Sequence, residues 1–187
     1  MIWKKVAAIP LGLAIASTAT AEEVVVSDMA KPNWSFYGDV RVKPVDAEKA
    51  PGGQLLRADV IRKGKNYWDS AASGEPIKAI DKDQIVTLGF FARAGSDDVQ
   101  VWVNANVGQI AAPYDAAVIA RINLDEEERF YCLEGSSKVK LNSGEGKVTL
   151  HLGGEKQKVD IGPYIVTVRN ADDGPSQLPC EQIVPSW

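Results

Sequence analysis

Val86-Thr87-Leu88-Gly89-Phe90-Phe91-Ala92-Arg93-Ala94-Gly95-Ser96-Asp97-Asp98-Val99-Gln100-Val101-Trp102-Val103-Asn104-Ala105-Asn106 holds two alternating runs around one polar turn. Apolar residues at every second position mark a half-buried β-strand, because successive side chains leave a pleated strand on opposite faces. Val86, Leu88, Phe90, Ala92 and Ala94 mark one face of the first run, and Val99, Val101 and Val103 one face of the second. Gly95-Ser96-Asp97-Asp98 has turn chemistry. The pattern predicts a hairpin in which Ala94 faces Val99, Ala92 faces Val101 and Phe90 faces Val103. The other face then pairs Phe91 with Trp102, Arg93 with Gln100, Gly89 with Asn104 and Thr87 with Asn106. Directly paired side chains lie within about 5.5 Å of each other.

A strand face turned only to water usually carries Lys, Glu, Thr and Ser. This one carries Trp102, Phe91, Arg93, Gln100, Asn104 and Asn106. Sugars need that mixture. The C–H face of a pyranose stacks on an aromatic ring, amides both donate and accept hydrogen bonds, and a guanidinium supplies fixed donors. The alternative is that Trp102 and Phe91 pack beneath a loop or a second sheet.

The same alternation spreads outward from this stretch. Val24-Val25-Val26, Val40-Arg41-Val42, Leu56 to Ile61, Val148-Thr149-Leu150-His151-Leu152 and Ile165-Val166-Thr167-Val168 continue it. Pro51-Gly52-Gly53, Asn142 to Gly146 and Gly153-Gly154 punctuate it. Many short strands with regular turns predict an all-β fold, an antiparallel β-sandwich or jelly roll. The helical candidates are short, Asp125 to Arg129 or the region of Ala47, and the acidic run Asp125-Glu126-Glu127-Glu128 reads best as a solvated turn. His151 alternates away from the core and is expected to be a minor contact on the binding face.

The N-terminus carries a different signal. Lys4 and Lys5 precede the apolar run Val6 to Ala16, and Ala19-Thr20-Ala21 is a small-x-small exit. A charged start, a short apolar middle and small residues at the end form a secretory leader. The apolar run falls short of the roughly 20 residues a bilayer core requires. The expected organisation is residues 1–21 as signal peptide, 22–170 as one domain and 171–187 as a polar tail across the surface. The expected setting is secreted or periplasmic. Export makes Cys132 and Cys180, the only two cysteines, a natural disulfide. Closing so long a loop is worth about 4 kcal/mol in the chain-entropy view. A net charge of −4 argues against nucleic acid, which needs clustered Lys and Arg. A single histidine excludes a His-rich zinc site.

The order of several motifs carries a resemblance. Gly52-Gly53-Gln54-Leu55-Leu56, Asn66-Tyr67-Trp68-Asp69, Pro76-Ile77 and the Phe90-Phe91-Ala92-Arg93-Ala94 strand come first. Gln109, Pro113-Tyr114, Arg129-Phe130-Tyr131, Val148 to Gly153 and Val159 to Val166 follow. This order resembles the CenC-type carbohydrate-binding modules found beside bacterial xylanases and other glycanases, over about Asn33 to Val168. The resemblance implies a galactose-binding-like jelly roll that holds a glycan in a cleft on its concave sheet. It adds Trp68, Gln109 and Tyr114 to the candidates, although Trp68 is equally a core tryptophan and Tyr114 a loop anchor. The expected sugar-binding set is therefore Trp68, Phe91, Arg93, Gln100, Trp102, Asn104, Gln109 and Tyr114. The expected partner is a polysaccharide or oligosaccharide, a plant-type β-glycan such as xylan or β-glucan, bound by a monomer. A structural calcium is open to Asp28, Asp39, Asp160 and Asp172, whose spacing forms no loop motif. Two other readings stay open. One is a protein-interaction module that keeps the fold without the sugar site. The other is a glycoside hydrolase, for which Asp69 and Asp115 would be the only nearby acids.

Overall fold

The computed structural model describes residues 23–27, 34–95 and 100–187. The expected leader, Asp28, residues 96–98 of the expected hairpin turn and Val99 of the expected second strand lie outside the described residues. Two sheets stack face to face. One has the order β12 (Gln182–Pro185), β9 (Arg129–Ser136), β6 (Ile85–Ala94), β11 (Lys158–Arg169), β4 (Gln54–Val60), β3 (Val40–Asp46), with the short β1 (Val24–Val25) also paired to β11. The other has the order β2 (Ser35–Tyr37), β5 (Ala71–Pro76), β10 (Gly146–His151), β7 (Trp102–Gln109), β8 (Ala116–Asn123). The expected all-β sandwich is the fold of the protein.

Alternation does what the sequence pattern demands of it. Val86, Leu88, Phe90 and Ala92 of β6 meet Val103, Ala105 and Val107 of β7 in one shared core. Val148 and Leu150 join from β10, and Ile161, Val166 and Val168 from β11. Trp34 closes one end, its Nε1 donating to the Gly162 carbonyl at 2.8 Å and its ring tilted on Tyr164 at 4.6 Å.

The predicted hairpin does not exist. β6 pairs with β9 and β11 in the first sheet, while β7 pairs with β10 and β8 in the second. The two runs therefore bury their apolar faces against the same core from opposite sides. Alternation reports which face is buried, and any antiparallel neighbour satisfies it equally. The Phe91–Trp102, Arg93–Gln100, Gly89–Asn104 and Thr87–Asn106 pairs are absent, and their residues sit on the two outer surfaces of the sandwich. Phe91 instead stands opposite Phe130, ring centroids 4.8 Å apart. Gly89 makes room for that packing, since a Cβ there would lie 2.4 Å from Phe130 Cζ.

Two more expectations change. Of the acidic run, Glu128 is buried, and its carboxylate accepts the backbone N–H groups of Glu48, Lys49 and Ala50. These three bonds replace the water a solvated turn would offer. The expected surface tail contributes β12, which runs parallel to β9. Cys180 anchors it: Cys132 and Cys180 form a disulfide with Cα atoms 5.7 Å apart.

Candidate functional site

Parity sorts the five-stranded sheet. Ala72, Val103, Ala105, Val118, Ala120, Val148 and Leu150 point inward, so the residues between them point out. The strand register lines these up in two rows. One runs Tyr37, Ala71, His151, Asn104, Arg121, and the next runs Ser35, Ser73, Thr149, Asn106, Ile119. Trp102 and Asn123 form the pair beyond the first row.

This face carries unmet hydrogen-bonding capacity. Ser73 Oγ, Asn106 Oδ1 and His151 Nδ1 are shielded atoms without a hydrogen-bond partner. Buried polar atoms are almost always paired, so three orphans on one sheet face need a reason. His151 titrates at about 4, because burial disfavours its cation and Lys147 adds positive charge nearby. Its imidazole is neutral at physiological pH and offers one donor and one acceptor nitrogen.

Aromatic side chains rim the same sheet. Tyr37, Trp68, Tyr114 and Trp187 are the exposed aromatics among the described residues. Tyr37 lies on β2 in the first row. Trp68 stands in the 3₁₀ turn Tyr67–Asp69, beside Tyr67 at 4.7 Å. Tyr67 in turn touches His151 edge-on at 5.4 Å. The turn is held by the Asn66 N–H donating to Asp69 Oδ2 at 2.9 Å and by the Gly153 N–H donating to the Tyr67 carbonyl at 2.8 Å. The Asn66 bond keeps the Asp69 carboxyl below its ordinary value. Tyr114 stands in the β7–β8 loop, which Gln109 closes by accepting the Asp115 N–H at 3.1 Å. Trp187 meets β8 through its N–H to the Ile119 carbonyl at 3.3 Å.

The expected set divides accordingly. Trp102 and Asn104 share the outer face of β7, Gln109 and Tyr114 lie at its end, and Trp68 is exposed beside the sheet, not in the core. Trp102 is not an open stacking platform. Arg121 lies 3.8 Å above its ring, and Gly154 packs so close that a Cβ there would sit 1.9 Å from Trp102 Cη2. The buried Gln157 pins the Trp102 backbone, accepting its N–H at 3.0 Å and donating to its carbonyl at 2.8 Å. Gln100 is exposed just before β7, outside the rows. Phe91 and Arg93 belong to the opposite sheet. Arg93 Nε donates to Asp160 Oδ2 at 2.9 Å, and Arg57 grips the same carboxylate at 2.6 and 2.8 Å. Burial pushes the Asp160 carboxyl up, but both arginines outweigh it and hold it below its ordinary value.

Sequence reasoning missed Tyr37, Tyr67, Ser73 and Arg121. Arg121 was within reach, since Val118, Ala120 and Ile122 alternate around it. Tyr37 and Ser73 lie in strands with almost no apolar alternation to announce them.

Of the four aspartates open to calcium, Asp28 lies outside the described residues and two are engaged by arginines. Asp160 is spent on two arginines and Asp39 on Arg62. Among the described residues no group of three or more His, Cys, Asp or Glu side chains could hold a metal. Neither row contains a carboxylate, and Asp69 and Asp115 stand outside them.

The fold recurs in solved structures. The second N-terminal cellulose-binding domain of Cellulomonas fimi β-1,4-glucanase C matches with a TM-score of 0.57 and 21% identity, over 79% of this chain and 95% of that one. The CBM22-1 xylan-binding domain of Paenibacillus barcinonensis Xyn10C matches with a TM-score of 0.52 and 14% identity, over 81% and 97%. An arabinose-bound GH51 α-L-arabinofuranosidase matches with a TM-score of 0.55 and 10% identity over 75% of this chain, but only 25% of the enzyme. No protein-family model and no curated protein sequence matches. The chain thus has the β-sandwich jelly-roll fold used by carbohydrate-binding modules. Among the described residues no helix is long and apolar enough to cross a membrane.

Proposed function

We propose that this protein is a non-catalytic carbohydrate-binding module that takes a β-glycan chain across the outer face of its five-stranded sheet. One observation carries the reading: the exposed aromatics gather around the sheet that also holds the partnerless polar atoms of Ser73, Asn106 and His151. A sugar chain supplies what both lack, C–H faces for Tyr37 and Trp68 and hydroxyls for the orphaned atoms. The solved neighbours, named for cellulose and xylan binding, support the same ligand class. The absence of carboxylates from the two rows speaks against hydrolysis, which commonly uses two acids flanking the scissile bond. The Cys132–Cys180 bridge suits an oxidising compartment and an exported protein.

Calorimetric titration with xylo- and cello-oligosaccharides tests this. Trp68→Ala and Tyr37→Ala are each expected to weaken binding about three- to tenfold without lowering the melting temperature, as loss of one stacked ring implies. Folded protein that binds no polysaccharide would remove the reading.

A further inference from the structure

We propose that this face selects glycans bearing a uronate, with Arg121 reading the carboxylate and Lys147 as a second cation beside the chain. The inference rests on the glycan-binding reading above and names the ligand more narrowly. It starts from the arginines. Arg57, Arg62, Arg93, Arg129 and Arg169 each pair with a carboxylate. Arg41 has Asp59 as its cross-strand neighbour. Arg121 has neither: among the described residues it makes no ion pair, and its neighbour across the ladder is Asn104.

Arg121 is nonetheless held in place. Its guanidinium carbon lies 3.8 Å from the Trp102 ring centroid, while the residue stays exposed. A guanidinium stacked on an aromatic ring keeps its in-plane N–H donors free, and that planar fork matches a carboxylate with two parallel bonds. Gly154 and Gln157 fix Trp102 from below, so the fork is presented by a rigid base. Lys147 is half-buried on the same sheet and, among the described residues, also lacks an acid partner. The sheet face thus combines Arg121 in the first row and Lys147 beyond the second with the hydroxyl and amide groups of both rows. A neutral sugar would leave Arg121 unanswered. The chain as a whole carries a net charge of −4, so any preference for an anionic polymer must arise locally.

The test compares glucuronoxylan oligosaccharides with the same oligosaccharides after carboxyl reduction, by calorimetric titration. The intact form is expected to bind about tenfold more tightly, the scale of one charge-assisted bidentate contact. Arg121→Ala brings the ratio close to one, and Arg121→Lys, which keeps charge but loses the fork, leaves an intermediate ratio. Arg121→Gln decides the matter if the alanine variant does not fold. Arg41→Ala with Lys158→Ala, on the opposite sheet, leaves the preference intact. Equal binding of the two forms overturns the inference, as does a preference that survives loss of Arg121 or vanishes with Arg41 and Lys158. In each of those cases retained binding of the reduced form keeps the glycan reading. Failure of both forms and of cello-oligosaccharides to bind overturns the glycan reading, and this inference with it.

Discussion

Ser73→Ala separates a binding face from an ordinary sheet surface. Ser73 is 7% exposed, and its hydroxyl has no hydrogen-bond partner. Leaving a buried polar group unpaired costs about 1–3 kcal/mol. Alanine removes the group without disturbing β5, whose backbone pairs Ser73 with Thr149 on one side and Ser35 on the other. Part of the gain is offset by the small void, so the unliganded domain is expected to gain about 1 kcal/mol. With a urea slope of about 2 kcal/mol/M, the midpoint rises by about 0.5 M. Affinity should move the other way. A hydrogen bond that the hydroxyl makes only to ligand is worth about 0.5–1.5 kcal/mol, so binding weakens about two- to twelvefold. Urea unfolding and calorimetric titration on one preparation give both numbers. A lower midpoint with unchanged affinity would refute the reasoning, since Ser73 would then be a structural hydroxyl.

Two other outcomes follow from the ionisable groups. Asp160→Asn leaves Arg57 and Arg93 without their shared charge and is expected to cost about 3 kcal/mol, the low end for a buried pair because both arginines are about a quarter exposed; a loss below about 1 kcal/mol in urea would contradict it. His151 has a folded-state value of about 4, below its ordinary value of 6.5, so the unfolded chain binds the proton more readily between them. Stability should therefore fall as pH drops from 6.5 towards 4, and His151→Gln should flatten that limb of the stability profile; an unchanged limb would show that another group governs it.

How much of this was legible beforehand differs by level. The inward faces of β6, β7 and β10 follow from alternation, and the core confirms Val86, Leu88, Phe90, Val103 and Leu150 in their expected roles. Alternation could not say that β7 leaves β6 for the other sheet, because each strand's apolar face is satisfied by the same core. That one topological step removed Phe91 and Arg93 from the site and replaced them with His151 and Arg121 as neighbours of Asn104. Trp102 illustrates a second limit. Its outward direction is a local property, but its covering by Arg121 and Gly154 depends on residues far along the chain.

The amino-acid sequence by itself determined the fold class and the inward-facing residues, because a period of two and its turn residues act over a few bonds. It also supplied the disulfide through the presence of only two cysteines. Tertiary structure alone decided which strands are neighbours. It thereby assembled Tyr37, Ser73, His151, Asn104, Asn106 and Arg121 from five strands into one face. Pairing partners are chosen by the global packing of two sheets around a core, and that choice is not written in any one strand.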